Sequence, residues 1–172
     1  MTSFEIAYSW DGQKLMDDEL ASVSVWVEGN DVWISVDAPF NGDPAPESDR
    51  GSTEELWKFE VVEVFLGNSE KPYLEVELGP HGHYLVITLA DIRAVTASGL
   101  PLNSYVTSRT GSRWKGIASF PREYLPAGGV TRGNAFAIRG IKNERRYMAA
   151  NPTGGARPDF HKPSTFLKLT LY

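Results

Sequence analysis

The stretch LWKFEVVEVFLGNSEKPYLEVELGPHGHYLVITL, residues Leu56 to Leu89, decides the fold. Phe59 to Leu66 and Tyr73 to Leu78 are rich in Val, Phe, Tyr and Leu, side chains that suit a pleated, buried surface. Gly67 to Pro72 lies between them as a turn, and Gly79-Pro80-His81-Gly82 is a second break leading into His83 to Leu89. The spacing predicts a three-stranded antiparallel meander.

Charge within it is placed unusually. Glu60, Glu63, Glu75 and Glu77 interrupt strands that are otherwise apolar. Successive strand residues point to opposite faces, so the pairing register decides which acids share a face. If Leu66 pairs with Tyr73, Glu63 points into the core with Phe59, Val61 and Phe65 while Glu75 and Glu77 take the other side. A slip of one residue puts Glu63 beside Glu75 and Glu77, where a metal or basic side chains could neutralise them. An unpaired carboxylate in either place would have a shifted pKa or need several donors. The plainest expectation is a solvated or Arg-paired acidic face.

Outward from the meander, Phe4, Ile6 and Tyr8 or Trp10 alternate with polar residues up to the Asp11-Gly12 turn. Ser22 to Val27 and Asp31 to Ala38 read as a hairpin around Glu28-Gly29-Asn30, with Val32, Ile34, Val36 and Ala38 on its apolar face. Pro39 to Thr53, rich in proline and acids, reads as a long loop. Ala90 to Pro101 reads as an irregular connection. Further strands are expected at Leu102 to Ser108, Arg113 to Phe120, Asn134 to Ile141 and Thr165 to Leu171, with a helical turn at Pro121 to Pro126. Helical periodicity and repeats are absent. About ten short strands with Gly and Pro turns predict an all-β protein, an antiparallel, jelly-roll-like β-sandwich formed as a single domain over residues 1–172.

Composition narrows the function. At 172 residues without cysteine, the chain needs no disulfides and has no thiolate metal site or cysteine nucleophile. A net charge of -5 argues against nucleic acid or an anionic membrane as a partner. The N-terminus shows no leader, which leads us to expect a cytoplasmic protein, monomeric or homodimeric. There is no Gly-x-Ser-x-Gly elbow, and the Gly128-Gly129 and Gly154-Gly155 stretches lack the context of a phosphate loop.

Several residues could carry chemistry. Trp57, between an acidic loop and the strongest strand, is placed to stack on a ligand. His81, His83, Asp159 and His161 would form a mixed metal site if their loops converge, the basis of an alternative as a metal-assisted hydrolase or isomerase. Arg139, Lys142, Arg145 and Arg146 concentrate positive charge, either in ion pairs or against a polar ligand. A protein-interaction domain using the Pro39 to Thr53 loop or a sheet face is a further alternative.

The strings Leu56-Trp57-Lys58-Phe59-Glu60-Val61-Val62-Glu63-Val64-Phe65, Tyr73 to Gly82, Asn134 to Ile138, Arg145-Arg146-Tyr147 and Arg157 to His161 resemble, in the same order, a protein family that includes a human chromosome 4 open-reading-frame product. That resemblance carries no activity with it. More distantly, Trp57, Val62-Glu63-Val64-Phe65, the Tyr73-led strand and the late Asp159-Phe160-His161 are similar to family 9 carbohydrate-binding modules and related cytochrome-like sandwiches. This second resemblance implies a β-sandwich that holds a sugar between aromatic side chains. No tryptophan follows Trp114, and Tyr147 is the nearest substitute for a second aromatic clamp. The expectation is a noncatalytic module for a saccharide or other small polar ligand, with Trp57, Glu77, His81, His83, Arg139, Arg146, Tyr147, Asp159 and His161 as binding residues. No cofactor is expected beyond a divalent metal that the His/Asp set would accommodate.

Overall fold

The structure, a computed structural model, describes residues 1–171. Its strands are β1 (Thr2–Ile6), β2 (Tyr8–Ser9), β3 (Ala21–Glu28), β4 (Asp31–Pro39), β5 (Gly51–Ser52), β6 (Val61–Gly67), β7 (Tyr73–Leu78), β8 (His83–Asp91), β9 (Ala94–Ser98), β10 (Ser104–Thr110), β11 (Arg113–Pro121), β12 (Arg132–Arg139), β13 (Arg146–Ala149) and β14 (Leu167–Lys168). They form an antiparallel β-sandwich. One sheet runs β1-β3-β4-β11-β10; the other runs β2-β13-β12-β6-β7-β8-β5, with β9 added to β8 and β14 to β12. Among the described residues, only the β5–β8 pair is parallel. The helical segments are short 3-10 turns, and no helix among the described residues is long and apolar enough to cross a membrane.

The first sheet follows the alternation expected from its sequence. In β4, Val32, Ile34, Val36 and Ala38 are buried, while Trp33 turns outward and stacks on Trp26 of β3 at 6.1 Å. These inward residues, with Val23, Val25, Trp114 and Phe120, meet Val62, Val64, Leu66, Val76 and Val86 of the second sheet to make the core between the layers.

The second sheet is buried on both faces. Every residue of β6 and β7 is buried, because the outer face carries its own apolar cluster of Val61, Phe65, Tyr73, Leu85, Ile87, Phe136 and Ile138. Phe160 and Phe166, from the segment that follows β13, cover it; Phe160 stacks on Phe136 at 4.0 Å. With both faces apolar, hydrophobicity does not specify register, and the turn does so instead. Asn68 accepts the Glu70 backbone N–H (2.7 Å) and donates to the carbonyls of Ala127 and Gly129 (2.9 and 3.0 Å), which fixes the turn. Gly67 lies opposite Tyr73, where a Cβ would come within 3.2 Å of the tyrosine Cβ. The pairing is therefore Gly67 with Tyr73, Leu66 with Leu74 and Glu63 with Glu77. The alternative with Leu66 opposite Tyr73 is corrected by one residue.

Two other expectations need correction. The connection Ala90 to Pro101 contains β9, reached through the tight turn Ile92-Arg93. Arg93 adopts φ 59° there, a left-handed conformation that the sequence does not announce with Gly or Asn, and the Asp91 carboxylate accepts the Ile92 N–H at 2.8 Å. The expected last strand shrinks to Leu167–Lys168, since Pro163–Thr165 forms a 3-10 turn whose Thr165 carbonyl is taken by the Asn151 side chain (2.7 Å).

Candidate functional site

The register brings three carboxyl groups together inside the protein. Glu63 of β6 lies opposite Glu77 of β7, and Glu75 is the next residue on the same face. One oxygen from each lies within 4.8 Å of the other two. Glu63 and Glu75 are 3% exposed and Glu77 is 0% exposed. Both oxygens of Glu77, and Oε2 of Glu75, have no hydrogen-bond partner. Glu60 is separate: it precedes β6 and accepts the backbone N–H groups of Asn41, Gly42 and Asp43 at 2.7, 3.1 and 3.2 Å, tying down the long loop.

Above Glu63 and Glu75 opens a cavity of about 390 Å³. The 3-10 turn Leu56–Lys58 presents Trp57 at its rim, 40% exposed. Tyr147 of β13 and Phe160 of the covering segment form aromatic walls, Ile87, Leu89 and Ile138 form an apolar floor beside the acids, and Arg93, Asp159 and His161 close the far side. Arg145 holds the rim in place, donating to the carbonyls of Trp57, Phe59 (3.2 Å) and Gly140 (3.0 Å).

Charge at the site is poorly compensated. Burial, opposed in part by the adjacent Glu77 carboxyl and then by Arg93, pushes the Glu75 carboxyl up to about 7. Burial first and neighbouring carboxylates second push Glu63 and Glu77 well above the usual range, with Arg145 opposing this at Glu63. His161 lies 3.8 Å from Glu75 but brings no charge at neutral pH. Burial and the nearby Arg93 hold its imidazole down to about 4, and its Nδ1 is engaged with the Tyr73 hydroxyl at 2.7 Å. Arg93 is bonded to Asp159 at 2.7 Å in a largely exposed pair.

Comparison with known proteins agrees with the chain's motifs. No family model matches. The UPF0462 protein C4orf33 homolog of Mus musculus is 42% identical over 173 residues, 95% of this chain and 88% of the mouse protein. The human UPF0462 protein C4orf33 is 40% identical, over 92% of this chain and 82% of its own length. The chain belongs to the UPF0462 family. Among solved structures, a protein from Bacteroides uniformis ATCC 8492, proposed to bind carbohydrate, matches this UPF0462 chain with a TM-score of 0.75 over 100% of it and 87% of the bacterial chain, at 15% identity. At that identity the match speaks for the sandwich.

The structure of this UPF0462 protein gathers some of the expected residues and separates others. Trp57, Tyr147, Asp159 and His161 line the cavity, and Glu77 lies beneath its floor in the carboxyl cluster. His81 and His83 lie elsewhere: His81 Nε2 is 3.1 Å from the Asp43 carbonyl and His83 Nε2 is 3.0 Å from the Ser48 carbonyl, so both pin the long loop. The expected convergence of His81, His83, Asp159 and His161 is corrected. His161 packs on Tyr73 at the start of β7 and His83 follows its end, roughly 17 Å along the strand at 3.3 Å per residue. Arg139 and Arg146 both pair with Glu19 instead of facing the cavity. The expected solvated or Arg-paired face is also corrected, because the three carboxyl groups are buried and none is bonded to an arginine. Glu63, Glu75, Arg93 and Phe160 join the site; the signal available for the first two was their odd position in apolar strands.

Proposed function

We propose that this UPF0462 protein is a noncatalytic binding module for a saccharide or other small polyhydroxylated ligand, seated in the cavity under Trp57. One observation carries the reading: an accessible indole, Trp57, and a buried carboxyl group with an unsatisfied oxygen, Glu75, line one cavity. A sugar ring presents both matching surfaces, since its axial C–H face stacks on an aromatic ring and its hydroxyls donate to carboxylates. The cavity size, about 390 Å³, suits one or two rings. The bacterial fold neighbour, itself proposed to bind carbohydrate, makes sugars the first class to test.

The test is calorimetric titration of mono- and disaccharides into the parent and into Trp57→Ala. Removing the indole exposes on the order of 100 Å² of ligand and protein surface, about 2 kcal/mol or roughly thirtyfold in Kd. A ligand that binds Trp57→Ala as tightly as the parent would place its site elsewhere, and no heat from any saccharide would end the sugar reading. Leu56, at 0% exposure beside Trp57, anchors the turn, so Trp57→Ala is expected to remain folded.

A further inference from the structure

Among the described residues, Glu63, Glu75 and Glu77 are the only group of three or more potential metal-ligating side chains whose ligand atoms converge. Crowded acids alone carry little meaning. A separate fact does: Glu77, wholly buried, offers an oxygen to the cluster and has no hydrogen-bond partner on either oxygen, and Glu75 Oε2 is also without one. Buried polar atoms are seldom left unpartnered, and buried like charges require a counter-charge or protons.

Nearby basic groups are committed elsewhere. Arg145 donates to three backbone carbonyls, Arg93 bonds Asp159, and His161, bonded to Tyr73 through Nδ1, brings its Nε2 no nearer than 3.8 Å to Glu75 Oε2, beyond hydrogen-bond distance. We propose that Glu63, Glu75 and Glu77 hold a hard divalent cation of calcium's size at the floor of the cavity. The donor set is all oxygen, which selects against softer metals that prefer imidazole or thiolate. The three ligand oxygens all lie within 4.8 Å of one another, close enough to share one cation, and a site of three protein carboxylates suits calcium, whereas magnesium keeps several waters and is usually held by one or two carboxylates. Three carboxylates supply between three and six of the six to eight oxygens that calcium takes. Glu63 and Glu75 also face the cavity, so the remaining positions open toward it, within reach of water or of ligand hydroxyls. That last step rests on the saccharide reading; the cation site itself does not.

The experiment titrates calcium, magnesium and manganese chlorides into chelator-treated protein at pH 7.5, following heat and Tm, with Glu63→Gln, Glu77→Gln and the exposed control Glu55→Gln in parallel. The expected result is one calcium per chain, a rise in Tm, calcium preferred over magnesium, and at least a tenfold loss of calcium affinity in Glu63→Gln and Glu77→Gln but not in Glu55→Gln. Circular dichroism checks that each variant is folded. Absence of heat and Tm shift with all three cations at millimolar concentration overturns the proposal, as does binding that both cluster variants retain. Saccharide titrations with and without chelator separate the two readings: sugar binding indifferent to chelator removes the cation's part in it, whereas calcium binding without any sugar binding leaves the metal site and removes the saccharide.

Discussion

Chelator-treated protein is expected to lose stability as the pH rises above about 6.5, and Glu75→Gln is expected to be about 3 kcal/mol more stable than the parent at pH 8. The sign follows from proton counting. Glu75 titrates near 4.5 when unfolded and near 7 when folded, so between those values the folded chain binds the extra proton. Stability that the protonated form has at low pH is then lost as the pH climbs through this range, and stays lost above it. Glu63 and Glu77 act in the same direction, because burial first and neighbouring carboxylates second raise them as well.

His161 works against this at lower pH. Its imidazole is held at about 4 in the folded chain against 6.5 unfolded, so stability rises with pH between those values. That contribution offsets Glu75 below 6.5 and ends there. Glu19 and Asp37, stabilised by arginine and lysine partners, matter only below their ordinary values of 4.5 and 3.8. Above 6.5 the buried carboxyls, the cluster together with Glu60, carry the dependence on pH. Denaturant titrations at pH 6.5, 7.5 and 8.5 measure it directly. A flat profile in the parent, with no gain in Glu75→Gln, would mean that the three charges are already compensated within the fold.

The same cluster shows which parts of the protein are legible in its sequence. β4 could be read residue by residue because one face is wet and the other dry, so Val32, Ile34, Val36 and Ala38 declare their side. β6 and β7 have no wet face. Their period is hidden, and the positions of Glu63 and Glu75 depend on a one-residue choice made by Asn68 and Gly67 in the turn. The acids are conspicuous as misfits, and their convergence is one of two registers that the sequence leaves open, decided only by the turn.

Trp57, Tyr147, Asp159 and His161 could be singled out because aromatic and polar residues at strand ends and loops are where ligands meet a sandwich. Arg93 and Phe160 could not. One depends on a left-handed turn without glycine, the other on a loop folding back over a sheet face that ordinarily would be solvated. His81 and His83 misled for a related reason. Two histidines beside a turn look available, yet the long loop whose carbonyls they meet has no pattern in sequence that predicts its path.

Gly140→Ala is expected to cost about 3 kcal/mol or more and to weaken ligand binding in whatever protein remains folded. Gly140 has φ +83°, a conformation that costs an alanine roughly 1 kcal/mol by itself. Its added Cβ would also lie 2.2 Å from the Glu144 carbonyl oxygen and 2.9 Å from the carbonyl carbon, backbone atoms that cannot rotate away. Relief requires the Lys142–Glu144 turn to move, and Arg145 moves with it. Arg145 is the tether of the cavity rim, reaching Trp57, Phe59 and Gly140 itself, while the Gly140 N–H is held by Asp43 at 2.7 Å. The strain thus runs directly to the indole. Gly154→Ala separates the two causes, because Gly154 also has positive φ, +61°, but a Cβ there meets nothing within 4 Å. It should lose about 1 kcal/mol and leave binding unchanged. Equal losses in the two variants would show that backbone conformation alone matters at residue 140, and that the route from Gly140 through Arg145 to Trp57 does not couple fold to site.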